Sequence, residues 1–187
     1  MNIVLVGKTG SGKTEIARIL TEYFRYDKLV TCTTRKRRDG EPIDAYIFMS
    51  DDEYDKADMV LKTRYCGNRY GALVEALAGC ENKVLVVDPK GLRELKDVKN
   101  FDFVSFFISC GTFKRYNRCI ERGDDKEVVL ARIMNEPRDY DMLKTDFVVE
   151  NEDRTAWDTV AEILERVKEV VDCSHQSSTK SESCQQV

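Results

Sequence analysis

Gly7-Lys8-Thr9-Gly10-Ser11-Gly12-Lys13-Thr14 fits the pattern G-x-x-x-x-G-K-[ST] at every position. It follows the apolar run Ile3-Val4-Leu5-Val6 and leads into a stretch with helical spacing. Such a loop binds phosphate where a buried strand delivers it to a helix N-terminus, because the unpaired backbone N–H groups there face the anion. Both flanks are present. Gly7, Gly10 and Gly12 let the backbone curl around phosphate oxygens, with Lys8, Thr9 and Ser11 completing the cradle. Lys13 has the reach for β- and γ-phosphates, and the Thr14 hydroxyl is placed for Mg²⁺.

Outward from the loop, the spacing predicts a helix over 14–24, with Ile16, Ile19, Leu20 and Phe24 on one face. Further β-branched or aromatic runs at 84–87, 104–108 and 147–149 are separated by segments of helical length. Short apolar runs alternating with helices predict an α/β fold of the P-loop type, a parallel sheet flanked by helices. A last helix is expected over 155–171, its apolar stripe formed by Trp157, Val160, Ala161, Leu164, Val167 and Val171. After residue 172 the sequence is almost wholly polar, so a disordered tail is expected over 172–187.

Two stretches break the alternation. Between 29 and 79, brief runs such as Tyr46-Ile47-Phe48 and 59–65 are interrupted by Gly40, Pro42, Gly67 and Gly71, which predicts a small, mostly antiparallel inserted lobe. Residues 114–139 are charged and helical in composition, with Gly123-Asp124-Asp125 as a break between two helices, the composition of a mobile lid. The expected division is a core of 1–30, 80–113 and 140–171, a lobe over 31–79 and a lid over 114–139.

The chain has 187 residues, 42% of them hydrophobic, enough for one substantial core. A formal charge of −4 argues against a broad nucleic-acid footprint, and basic residues cluster once, in Arg35-Lys36-Arg37-Arg38. Seven cysteines, without C-x-x-C pairs, read as reduced thiols of a cytoplasmic protein. The single His175 lies in the polar tail, so a structural zinc site is not expected. No run approaches the roughly 20 apolar residues that a membrane span needs.

A phosphate loop identifies a nucleotide and not a reaction. The GTPase tetrapeptide N-K-x-D is missing, and a second cationic centre lies at 31–38 on the inserted lobe. Two phosphate sites imply a donor and an acceptor, and joining two anions needs several arginines around the migrating group. The lid segment supplies Arg118, Arg122 and Arg132.

In order and spacing, residues 1 to about 170 resemble a guanylate kinase. The resemblance implies ATP and Mg²⁺ at Gly7–Thr14, with Thr14 and Asp88 on the metal side. It implies that Arg35 and Arg38, in Thr31-Cys32-Thr33-Thr34-Arg35-Lys36-Arg37-Arg38, grip the acceptor 5′-phosphate, Thr31 standing where a serine is common. Tyr46 and Tyr70 complete that grip, and Asp88 lies near the acceptor base. Arg122 and Arg132 close on the ATP phosphates, and Asn151 falls in the adenine-side loop. Lys13, Arg35, Arg122 and Arg132 are the catalytic candidates. The implied acceptor is GMP or dGMP, in a monomer or homodimer without nucleic-acid or membrane partners.

The sequence departs from the family where guanine is read. The glutamate position falls at Leu61 and the neighbouring hydroxyl position at Ala72, while Val86 stands where a second acidic residue is common. Glu75, Lys62, Thr63 or Asp88 is then a substitute reader, or the acceptor is another nucleoside monophosphate or a ribose bisphosphate. Family modules that bind phosphopeptides without catalysis form a third reading, set apart by the retained Lys13, Thr14 and lid arginines.

Overall fold

Ile3, Val4, Leu5 and Val6 are each fully buried because their strand is covered on both faces. Ile3 and Leu5 pack with Ile16, Ile19, Val160 and Ile163 on one side; Val4 and Val6 pack with Leu77, Leu92 and Leu95 on the other. A strand with two buried faces needs apolar residues at every position, which explains the unbroken run.

The computed structural model describes residues 1–37, 43, 46–65, 67–136 and 138–182. In chain order the elements are β1 (Asn2–Val6), α1 (Lys13–Tyr23), β2 (Asp27–Lys28), β3 (Cys32–Thr33), β4 (Ile47–Phe48), α2 (Asp51–Lys56), β5 (Met59–Tyr65), β6 (Asn68–Leu73) and α3 (Val74–Leu77). Then follow β7 (Lys83–Val86), α4 (Pro89–Lys96), β8 (Phe103–Ser109), α5 (Thr112–Glu121), α6 (Lys126–Met134), β9 (Phe147–Glu150) and α7 (Ala156–Glu182).

The core is a five-stranded sheet in the order β2-β7-β1-β8-β9, parallel at every pairing. β1 lies between β7 and β8, so the chain switches direction across the sheet at its C-terminal end. Crevices at such switch points are where open α/β sheets bind ligands. A second, four-stranded sheet in the order β4-β3-β6-β5 is built from residues between β2 and β7, antiparallel except at β3–β4.

Local chemistry sets most helix starts. Ser50 and Glu53 form a capping box at α2, and Asp125 accepts the Glu127 and Val128 N–H groups at α6. Asp88 accepts the Gly91 N–H at 2.7 Å and caps α4, with Pro89 in its first turn. α1, like α3 and α5, has no side-chain cap, and its cap residue Gly12 lies in the left-handed region.

Three expectations are corrected. β2 was not anticipated, since Asp27 and Lys28 are exposed and carry no apolar signal. Trp157 does not belong to the buried stripe of α7; it is 47% exposed and rests edge-on against Tyr23, while Ile163 fills the core. The chain does not leave the helix near residue 171, because α7 continues to Glu182. The polar continuation contains neither proline nor glycine, so nothing in it breaks a helix. Residues 183–187 lie outside the described residues.

Candidate active site

The loop between β1 and α1 folds around left-handed turns at Gly10 (φ +78°) and Gly12 (φ +98°). A methyl group at Gly10 would meet the Arg115 carbonyl oxygen at 2.5 Å, and one at Gly12 would run into the Asn151 side-chain amide. Side chains are excluded at both positions by conformation and by space. Ser11 donates its backbone N–H to the Lys8 carbonyl at 3.2 Å, closing the loop.

Lys13 curls back over the loop, its Nζ donating to the Lys8 carbonyl at 2.9 Å and the Ser11 hydroxyl at 3.3 Å. Burial, and secondarily the nearby Arg115 guanidinium, lowers its pKa from the usual lysine range to about 8. The cradle combines a lysine, an uncapped helix start and left-handed glycines, which is an anion site in search of charge. Lys8, at the rim, forms an ion pair with Asp141 at 3.0 Å.

Asn151 is fixed beneath the loop. It is buried, its Nδ2 donates to the Ser11 carbonyl at 2.8 Å, and its Oδ1 accepts from the Thr159 hydroxyl at 2.9 Å. Both ends of its amide are engaged by protein, one by the loop and the other by Thr159 of α7.

A cleft of about 570 Å³ opens between the two sheets. Thr31, Arg35, Tyr46, Tyr70 and Asp88 line it together with Leu61, Lys62, Thr63, Val86, Val87, Lys90 and Glu94. Arg35 sits over the Tyr46 ring at 5.5 Å, and the Tyr46 and Tyr70 rings meet edge-on at 6.0 Å. A second cavity shares Thr31, Leu61, Val86 and Val87 with this cleft and reaches Thr14 on α1. Thr14, the last residue of the phosphate loop, and the cationic centre of the inserted lobe therefore line neighbouring cavities with common walls.

Arg38 lies outside the described residues. Ala72 does not line the cleft; it is fully buried among Leu77, Leu92 and Leu61, so its methyl group meets core and not ligand. Glu75 is exposed on α3 and also lies away from the cleft lining. In the helical pair, Arg122 bonds Asp124, and Arg118 reaches the Cys110 sulfur at 3.5 Å. Arg132 lines a surface depression that reaches Thr9 of the loop.

Two features escaped the sequence reading. Glu94 accepts the Leu61 N–H at 2.5 Å, holding Leu61 at φ +58° where β5 shifts register against β6. A non-glycine residue in that region usually marks a constraint imposed from outside. Arg115, on the buried face of α5, is joined to Glu136 by a bidentate ion pair. Its position four residues before buried Cys119, a charge on an apolar helix face, was the available signal.

Magnesium that bridges nucleotide phosphates keeps several waters and needs only one or two protein oxygens. The Thr14 hydroxyl stands on the exposed first turn of α1, and Asp88, two residues past β7, has lone pairs beyond the one given to Gly91. Each is a hard oxygen donor of the kind that ion takes.

Comparison with known proteins follows this geometry. The sequence model of the family described as Guanylate kinase matches residues 1–173. A guanylate kinase of Lactobacillus johnsonii is 26% identical over 186 residues, covering 92% of this chain and 88% of that protein. One of Mesorhizobium japonicum is 33% identical over 165 residues, covering 81% of this chain and 75% of that protein. Among solved structures, a guanylate kinase from Anaplasma phagocytophilum superposes with a TM-score of 0.51 at 21% identity, covering 93% of this chain and 85% of that one, a likeness of fold.

Proposed function

The chain belongs to the guanylate kinase family, and from that premise we propose that it transfers the γ-phosphoryl group of Mg-ATP to GMP or dGMP, forming the diphosphate. The observation that carries this reading is the cleft lined by Arg35, Tyr46, Tyr70 and Asp88, which shares walls with a cavity that Thr14 of α1 lines. Residues 31–79 then act as the acceptor lobe and 114–139 as the lid. No helix among the described residues is long and apolar enough to cross a membrane. Cys32, Cys80, Cys110 and Cys119 stand as thiols and not in disulfides, which supports assigning the protein to the cytoplasm.

The acceptor phosphate is itself the nucleophile and is anionic at neutral pH, so no general base is needed. Catalysis rests on alignment and charge neutralisation. The α1 N-terminus and Lys13 hold the ATP phosphates, while Arg35, Arg38, Tyr46 and Tyr70 hold the acceptor phosphate. Arg122 and Arg132 complete the cationic ring when the helical pair approaches; for Arg122 this means leaving Asp124. Thr14 and Asp88 are the residues that would hold Mg²⁺, which when bound would neutralise charge on the nucleotide phosphates.

The base is read by a changed set. Guanine presents N1–H and a 2-amino group, two parallel donors that match one carboxylate. Among the described residues, Asp88 and Glu94 are the carboxylates lining the cleft, and Glu94 accepts the Leu61 N–H and pairs with Lys90. We assign Glu94 as the guanine-facing acceptor, with Lys62 and Thr63 at the rim. Lys13→Ala tests the phosphoryl-transfer reading: ADP formation should fall by roughly 100-fold or more, and a variant as active as wild type would exclude this mechanism.

A further inference from the structure

The third residue of the phosphate loop is held by both of its backbone polar groups. Thr9 donates its N–H to Glu136 Oε1 at 3.2 Å, and its carbonyl accepts from Arg115 Nη1 at 2.9 Å. Arg115 and Glu136 are bound to each other by two hydrogen bonds, Nη1 to Oε1 at 2.6 Å and Nη2 to Oε2 at 3.0 Å. The pair is sealed, with side-chain exposures of 3% for Arg115 and 11% for Glu136. Nη2 also reaches the Thr112 hydroxyl at 3.3 Å, while Nε is buried without a partner among the described residues.

We propose that Arg115 and Glu136 are positioning residues that grip Thr9, set the phosphate loop in its nucleotide-receiving shape, and fasten it to the helical pair. The inference rests on the ATP-binding reading of the loop given above.

Three observations support a role beyond packing. A buried ion pair is a poor source of stability, since desolvation of two ions offsets much of their attraction, and apolar replacements of similar volume are often neutral or stabilising. Arg115 sits on a helix face otherwise directed to the core, where an aliphatic side chain would fill the space with no orphaned Nε. Apart from the Thr112 hydroxyl, the pair's remaining hydrogen bonds go to the one loop whose shape decides anion binding. Arg115 comes from the start of α5 and Glu136 lies two residues past α6, so one clamp ties both ends of the helical pair to Thr9. Contact continues at the next residue, where the Arg115 backbone leaves no room for a side chain on Gly10.

The fork geometry matters. A guanidinium bonds the carboxylate through two nitrogens and still reaches the Thr9 carbonyl through Nη1, which a lysine ammonium cannot reproduce at the same distances. A held loop meets ATP with its ordering cost already met, so loss of the grip appears as weaker nucleotide binding.

The test is a set of full-length variants, Arg115→Met, Glu136→Met, the double Arg115→Met/Glu136→Met, and Arg115→Lys. Each is titrated calorimetrically with Mg-ATP in the absence of acceptor, titrated separately with GMP, and melted. Each single Met variant leaves an unpaired buried charge or an unmatched carboxylate and should melt lower. The double variant removes both charges and should melt at or above wild type, yet bind Mg-ATP roughly tenfold or more weakly while binding GMP as wild type does. Arg115→Lys should keep the charge and lose the affinity. A double variant that is as stable as wild type and binds Mg-ATP within a factor of about two would overturn the positioning role. A wild type that binds Mg-ATP but phosphorylates no nucleotide would fail the kinase reading and leave this titration decisive. A wild type that binds no Mg-ATP would overturn both.

Discussion

Asn151 Nδ2 donates to the Ser11 carbonyl at 2.8 Å, linking the end of β9 to the middle of the phosphate loop across 140 positions of sequence. Thr159, on α7, fixes the other end of the amide at 2.9 Å. The last helix thereby reaches the nucleotide cradle through one side chain. Through Asn151, the packing of α7 on the sheet becomes a determinant of loop shape.

Asn151→Ala should therefore cost stability and nucleotide affinity together. It leaves the Ser11 carbonyl and the Thr159 hydroxyl without their partner in a dry setting, at about 1–3 kcal/mol. For a domain of this size that is a melting-temperature drop of roughly 2–12 °C. Mg-ATP binding should weaken in the same variant, read by calorimetry. An unchanged melting curve would show that water replaces the amide.

Lys13 makes nucleotide binding pH-dependent. Burial, then Arg115, lowers its pKa to about 8, so in the free protein it loses its proton as pH rises through that value. Bound phosphates favour the charged form, so above pH 8 binding must take up a proton. Affinity for Mg-ATP should fall by up to roughly tenfold per pH unit above 8. Calorimetry at pH 8.5–9 in buffers of unlike ionisation enthalpy should report proton uptake, and a buffer-independent enthalpy would exclude it. The stability effect has the opposite slope. The unfolded lysine keeps its proton to about 10.4, so the unfolded state binds more protons between pH 8 and 10.4. This group's contribution to stability accordingly rises with pH across that window.

Glu94→Gln separates base reading from phosphate grip. Loss of one charge-assisted acceptor at the guanine edge should raise the KM for GMP by roughly 10- to 100-fold, with the KM for ATP unchanged. IMP, which lacks the 2-amino group, should lose less from the substitution than GMP does. Equal losses for both nucleotides would assign Glu94 to holding Leu61 and not to the base.

The parts of this protein legible in sequence are those whose cause is local. An apolar run followed by G-x-x-x-x-G-K-[ST] specifies β1, the loop and α1 because strand burial, left-handed glycines and the helix start lie within a few residues of one another. The break between α5 and α6 was legible for the same reason, through Gly123 and the Asp125 cap. What could not be read depends on partners that meet only after folding. Asn151 finds Ser11 through the crossing of the sheet, Arg115 finds Glu136 across 21 positions, and Glu94 finds Leu61 across 33. β2 escaped because its two residues are exposed and pair with β7 through backbone and one Asp27–Lys83 ion pair, with no apolar signal.

The most direct test of the central claim is Mg-dependent ADP release from ATP by the purified protein, measured against GMP, dGMP, AMP, CMP, UMP, dTMP and ribose 1,5-bisphosphate. Rapid ADP release with GMP or dGMP alone is the result expected of a guanine-selective kinase whose base is read from Glu94 and Asp88. Release driven best by another acceptor would contradict the assigned substrate, and none with any acceptor would contradict phosphoryl transfer itself.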